Sequence, residues 1–274
     1  MDLKQLFHIK PAYPAEGDKA LSIRIGQQHC SFAVTDKPGN NLYALSYYIH
    51  DEINSDVLGM IYSQHPELHD SFSCVQVCYD YPDSVLVPVE HHNPEGQRSL
   101  LATMYGGSVA SSVISEPVHD WKLYNVFALP DGIREWVGRM FPAYKDRHQY
   151  TMTLEMMPTD SADHLLIDFT PGEFSFIVLK ENKILIAQTL AYTTPEDILY
   201  YLLKTCNQFS LSRGEVQLFI SGMIEKKSQL YRELYLYFLN VSFREPAWKM
   251  VSNEDDDYPA HFFTSLNDLA RCAS

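Results

Sequence analysis

An apolar strand, His164-Leu-Leu-Ile-Asp168, delivers one carboxylate beside the turn Thr170-Pro171-Gly172. A carboxylate next to a glycine turn can grip phosphate, because small residues let backbone N–H groups approach phosphate oxygens. Pro171 removes one of those donors. The other residues able to do chemistry are sparser. His91-His92-Asn93-Pro94-Glu95 reads as a loop with no third metal ligand in sight. Ser108, Ser111 and Ser112 follow Gly106-Gly107 without the Gly-x-Ser-x-Gly elbow of a serine hydrolase. Cys74 and Cys78 lie in a strand, roughly 13 Å apart. No metal-ligand set follows from these residues.

Bulk composition narrows the classes. The chain has 274 residues, 46% hydrophobic and 20% charged, enough for one large or two modest domains with real cores. A net charge of −14 argues against nucleic acid and anionic lipid, both of which reward a basic surface. The cluster of acids that a two-metal nuclease needs is missing as well. Five scattered cysteines and no apolar run of spanning length lead us to expect reduced thiols, no membrane insertion and a cytoplasmic protein.

The elements that must position Asp168 occur twice. Leu21–Asp36, LSIRIGQQHCSFAVTD, aligns without gaps on Leu165–Lys180, LLIDFTPGEFSFIVLK, at an offset of 144. Five of the sixteen positions are identical: Leu21/Leu165, Ile23/Ile167, Ser31/Ser175, Phe32/Phe176 and Val34/Val178. At an offset of 141 a third strand follows, then a helix start (Ser55–Leu58 on Glu196–Leu199). A further strand start (Val75–Val77 on Val216–Leu218) completes the series. Each half therefore reads strand–turn–strand–turn–strand, helix, strand, with apolar residues on both strand faces as in a sheet covered on two sides. Thr194-Pro195-Glu196-Asp197 predicts a capped helix start, and Glu181-Asn182 a two-residue turn.

Between the repeats the pattern predicts a short strand at Val85–Pro88, a helical turn at Leu100–Tyr105 and a strand at Tyr124–Ala128. It also predicts a helix from Pro130 to Phe141, while Arg147–Met157 fits strand or helix and is read as a connecting helix. Pro158–Asp163 reads as the boundary between units 1–158 and 159–274, and Asn253–Asp257 as a solvated loop. In the second repeat a helix runs to about Leu239 with Tyr231, Leu234, Tyr235 and Phe238 on its packed face. A terminal helix over His261–Ala273 turns Phe262, Leu266 and Leu269 inward. Trp121, Tyr124 and Trp136 read as core first and interface second.

A duplicated three-strand and helix unit with a carboxylate and glycine at its first turn resembles the actin-like ATPase superfamily of actins, heat-shock chaperones and sugar kinases. Within it, the chain looks like a bacterial family of unknown function, similar in plan to the actin-like proteins of pilus and secretion assembly. The resemblance implies an α/β fold of two ribonuclease-H-like lobes with a nucleotide cleft between them. The second phosphate motif maps onto Leu166-Ile167-Asp168-Phe169-Thr170, with Thr170 where glycine is usual and Gly172 two residues later. The first maps onto Ile23-Arg24-Ile25-Gly26-Gln27-Gln28; Arg24 stands where the family has the second magnesium-holding acid, and a guanidinium offers no oxygen ligand. The adenosine motif maps onto Phe219-Ile220-Ser221-Gly222-Met223, with one glycine in place of two.

Asp168 is thus the one candidate catalytic group, and Gly26, Gln27, Asp168, Thr170, Gly172 and Gly222 are the candidate cofactor-binding residues. Arg24 and Asp168 are expected to form a charge pair in place of magnesium. The function implied is an interaction or assembly scaffold with protein partners and no required cofactor. The alternative is an Mg-ATP-binding ATPase or phosphotransferase.

Overall fold

The computed structural model describes residues 2–10, 17–106, 111–157, 160–248 and 258–272. They separate into two compact units, Met1–Met156 with Ala247–Asp256 and Leu266–Ser274, and Met157–Pro246 with Asp257–Ser265. The sequence expectation gave everything after residue 158 to the second unit. Instead Trp248 and Leu266 onward group with the first, because the buried side chains of Leu266, Leu269 and Ala270 are absorbed there. Gly107, Ser108, Pro158, Thr159 and the 253–257 loop lie outside the described residues.

The first unit contains β1 (Lys4–Ile9), β2 (Lys19–Gly26), β3 (His29–Asp36), β4 (Leu42–Ile49), α1 (Ser55–Gln64) and β5 (Cys74–Asp80). It continues with β6 (Ser84–Pro88), α2 (Gln97–Tyr105), β7 (Ser112–Val118), β8 (Leu123–Leu129), α3 (Asp131–Met140), β9 (Lys145–His148) and α4 (Gln149–Glu155). Its main sheet has the order β1-β4-β3-β2-β5-β9, and β6-β8-β7 form a smaller antiparallel sheet. The expected connecting helix over Arg147–Met157 starts later: Lys145–His148 is strand, drawn into parallel pairing with β5. The second unit contains β10 (His164–Thr170), β11 (Glu173–Lys180), β12 (Lys183–Ala191), α5 (Pro195–Phe209), β13 (Gln217–Gly222), α6 (Gln229–Tyr237) and β14 (Asn240–Phe243). Its sheet runs β12-β11-β10-β13-β14. A last helix, α7 (Thr264–Arg271), follows a 3-10 turn over Ala260–Phe263; Phe263, not Phe262, is the buried aromatic there.

Pairing is repeated residue for residue at the offset of 144. Leu21 faces Val34, Ile23 faces Phe32 and Arg24 faces Ser31 in the first unit. Leu165 faces Val178, Ile167 faces Phe176 and Asp168 faces Ser175 in the second. Each third strand shifts register at the same place, after Val34 and after Val178. Alternation then sends Leu21, Ile23, Ile25, Cys30, Phe32 and Val34 into one core, and Leu165, Ile167, Phe169, Phe174, Phe176 and Val178 into the other. The helices keep the offset of 141, with Val57, Leu58 and Ile61 buried in α1 and Ile198, Leu199 and Leu202 in α5. The fourth strands do not: Ile23 pairs with Val77 and Ile167 with Ile220, an offset of 143. Loops between helix and strand absorb the two-residue difference.

Caps match the local sequence. Asn54 accepts the N–H groups of Asp56 and Val57, and Thr194 and Asp197 form a capping box on α5. Among the described residues, no helix is long and apolar enough to cross a membrane.

Candidate functional site

The face of each main sheet turned away from the α1 or α5 core holds the motif residues. In the first unit, β2 contributes Ser22, Arg24 and Gly26, β3 contributes His29 and Ser31, and β5 contributes Gln76, Cys78 and Asp80. All of them are buried because α7 and α4 cover this face: Leu269, Met152 and Cys78 pack together, and Gln76 donates to the Leu269 carbonyl at 3.0 Å.

Asp80 stands at the C-terminal end of β5, opposite Gly26 at the end of β2. Its carboxylate meets the Arg24 guanidinium through Nε, accepts from His29 Nε2 at 2.8 Å and receives the Cys78 thiol at 3.7 Å. Buried at 2%, Asp80 would be costly without such partners. Burial first, and the Asp80 carboxylate beside it, push the Cys78 thiol up against the opposing pull of Arg24 and keep it unreactive. Within its own unit, then, the acid that Arg24 meets is one the sequence reading did not name.

Gly26 explains how His29 reaches Asp80. A Cβ built on Gly26 would lie 2.2 Å from His29 Cε1, so the imidazole fills the space that the missing side chain leaves. A phosphate oxygen brought to this turn would meet the ring. Gln27 and Gln28 commit their carbonyls to the N–H groups of Ile53 and His50 at 2.8 and 3.0 Å. Beside the turn is a cavity of about 440 Å³, lined among others by Gln27, Gln28, Asp51, Glu52, Tyr81 and Asp83. Among the described residues no lysine, arginine or histidine lines it, and burial raises the Asp83 carboxyl above its ordinary value. Three acids and no cation make a poor receptor for a polyphosphate.

In the second unit Asp168 is 9% exposed and accepts from Ser221 Oγ at 2.6 Å and Ser265 Oγ at 2.8 Å. Ser221 comes from β13 and is the register equivalent of Cys78. Thr170, Pro171 and Gly172 form the β10–β11 turn, where Gly172 supplies φ +80° and Thr170 Oγ1 donates to the Glu173 carbonyl at 3.2 Å. The Gly172 carbonyl is taken by the Tyr192 N–H at 3.0 Å. Gly222 has φ +82°, and a Cβ there would lie 2.1 Å from the Phe169 carbonyl oxygen. The next residue, Met223, donates to that same oxygen at 2.8 Å. Gly222 is therefore required by the chain itself.

Sequence reasoning missed Asp80 and His29. His29 lies inside the aligned repeat, three residues past Gly26, and could have been noticed there. Asp80 becomes visible only once β5 is placed beside β2. The His91-His92 pair is held structurally: His92 stacks on Tyr124 at 3.7 Å and bonds Ser115 Oγ at 2.7 Å.

Comparison with solved structures identifies the fold. A Bacteroides thetaiotaomicron VPI-5482 protein described as having an actin-like ATPase fold and unknown function matches at 17% identity and a TM-score of 0.74, covering 85% of this chain and 93% of that one. The PilM–PilN type IV pilus biogenesis complex contains a chain matching at 12% identity and TM-score 0.64, covering 93% and 98%. The ethanolamine utilization protein EutJ from Carboxydothermus hydrogenoformans matches at 7% identity and TM-score 0.53, covering 94% and 91%. Curated proteins give no match by sequence. The chain has the actin-like ATPase fold, and the family model that matches residues 14–241 settles its membership: it belongs to DUF3822, a family of proteins of unknown function.

Proposed function

We propose that this protein is an interaction or assembly scaffold that kept the actin-like fold and gave up nucleotide turnover. One observation carries the reading. At the first phosphate turn the chain's own side chains occupy the positions of ligand and ion, with the His29 ring over Gly26 and the Arg24 guanidinium against Asp80. Mg²⁺ seeks oxygen ligands, and here the local carboxylate is already neutralised by a cation that cannot leave. Asp168 is likewise engaged with two serine hydroxyls. The residues present do not fit a magnesium nucleotide, and no catalytic step follows from them.

A protein partner is supported by an exposed apolar run at the end of α6. Tyr235 and Tyr237 are largely exposed, and Leu236 at 79% and Leu239 at 74% are more so, immediately before the edge strand β14. Soluble monomers seldom leave such a cluster uncovered without use. PilM, similar in fold, is seen in complex with PilN. The strongly acidic surface disfavours nucleic acid as the partner. The test is thermal unfolding with Mg-ATP or Mg-ADP in large excess. A nucleotide held in a real site raises stability by roughly 2–4 kcal/mol at 100–1,000 times its Kd. The scaffold reading expects no magnesium-dependent shift, and a clear one would return the protein to the ATPases.

A further inference from the structure

On the opposite side of the first unit's sheet, three residues meet with the makings of a metal site. His8 lies on the edge strand β1, His65 caps the C-terminus of α1, and Glu67 lies in the 3-10 turn Pro66–His69 that follows. One ligand atom from each falls within 4.8 Å of the others, and the two imidazole rings are 5.4 Å apart, tilted by 44°. His65 Nδ1 and Glu67 Oε1 are 2.9 Å apart.

What distinguishes this group from a chance meeting of polar side chains is the second tier of contacts. Each of the three is held from behind through an atom, or toward a partner, outside the group. His8 Nδ1 is bonded to Ser46 Oγ at 2.9 Å, His65 Nε2 to Tyr48 Oη at 2.5 Å, and Glu67 Oε2 accepts from Lys10 Nζ at 3.2 Å. Supporting bonds of this kind fix ring orientation at metal centres. Ser46 is placed by register, since it faces His8 across the β1–β4 pair, and a register shift between Gln5 and Phe7 sets which way β1 presents its side chains.

We propose that His8, His65 and Glu67 bind a borderline divalent metal ion, zinc being the reference, which ties the edge strand β1 to the turn after α1. Two imidazoles and one carboxylate are the donor set that suits such an ion, and exposed His8 leaves room for water to complete the coordination. Binding exchanges one hydrogen bond for the ion. The His65 Nδ1 proton, now directed at Glu67, moves to Nε2, and the Tyr48 hydroxyl changes from donor to acceptor, so no charge is stranded. Lys10, half-exposed, can swing aside from Glu67 as the ion enters.

The experiment is a zinc titration of the full chain against a fluorescent chelator, run for wild type, His8→Ala, Glu67→Gln and His92→Ala. His8 is exposed, so its removal leaves the fold intact, which circular dichroism checks directly. The expected result is one ion per chain with a dissociation constant on the order of 1 µM or tighter. His8→Ala and Glu67→Gln should each weaken it by roughly tenfold or more, and His92→Ala should leave it unchanged. Saturating zinc should also raise the Tm of wild type and not that of His8→Ala. Absence of stoichiometric binding, equal binding in His8→Ala, or loss in His92→Ala alone would each overturn the proposal.

Discussion

The two hairpins at the heart of the units share strand order, register and irregularity, yet their buried polar positions carry opposite solutions. Arg24 and Asp168 are equivalent by the offset of 144, and so are Ser31 and Ser175. In the first unit the turn closes on an ionic cluster of Arg24, His29 and Asp80; in the second Asp168 accepts from the hydroxyls of Ser221 and Ser265. Backbone geometry is therefore held by the apolar face, where Ile23, Phe32 and Val34 repeat as Ile167, Phe176 and Val178. The other face is free to change chemistry so long as each buried charge keeps a partner.

The difference can be broken at its most demanding point. Asp80→Ala leaves a buried guanidinium without its carboxylate and should cost about 3–5 kcal/mol in urea unfolding. Gly222→Ala attacks the second unit instead. Positive φ alone costs about 1–3 kcal/mol, and the clash with the Phe169 carbonyl adds to it. Gly26→Ala collides with a side chain, not backbone, so its cost should largely disappear when His29→Ala is made with it. If the two substitutions simply add, the imidazole is not what fills the turn.

A subtler contrast concerns pH. The first unit buries His148, whose Nδ1 accepts the Tyr150 N–H and whose Nε2 donates to the Tyr81 carbonyl, and burial lowers its pKa to about 4. That group favours the fold above pH 6.5 and loses the benefit as pH falls toward 4. Glu116 is raised to about 7 by burial, against the pull of Arg147 and its hydrogen bonds, so it favours the fold below 4.5 and loses the benefit as pH rises toward 7. Between these limits the slopes oppose. Glu116→Gln should expose the histidine slope, about 1.4 kcal/mol per pH unit, seen as a urea midpoint that rises between pH 4.5 and 6.5. A flat profile in the variant would refute the assignment. The smallest effect belongs to the second turn: Pro171→Ala should cost about 0.5–1 kcal/mol by freeing the unfolded chain.

How much of this was legible before the structure follows from how each feature is encoded. The hairpins were visible because their alternation is strong on both faces and repeated. The turn residues announced themselves too, Glu181-Asn182 adopting φ of +49° and +61° as a two-residue hairpin demands. The edge strands β1 and β14 were not, since most of their residues are only partly buried and carry a weak pattern. Exposure also defeated the helical periodicity of α6, where Leu234 and Phe238 are buried as expected but Tyr235 faces outward. The strands that carry the candidate residues were legible, and the side chains that meet them were not. Asp80 and the His8–His65–Glu67 group depend on which strand lies beside which, a choice made by pairing over long sequence distances.

The most direct test of the internally closed turn is a double-mutant cycle on Arg24→Met and Asp80→Asn, read by urea unfolding at pH 7. A guanidinium that acts as the resident cation of Asp80 should give a coupling energy of about 2 kcal/mol or more. A coupling below about 0.5 kcal/mol, within the range of independent sites, would mean that Asp80 does not depend on Arg24 and that the turn is open to another ligand.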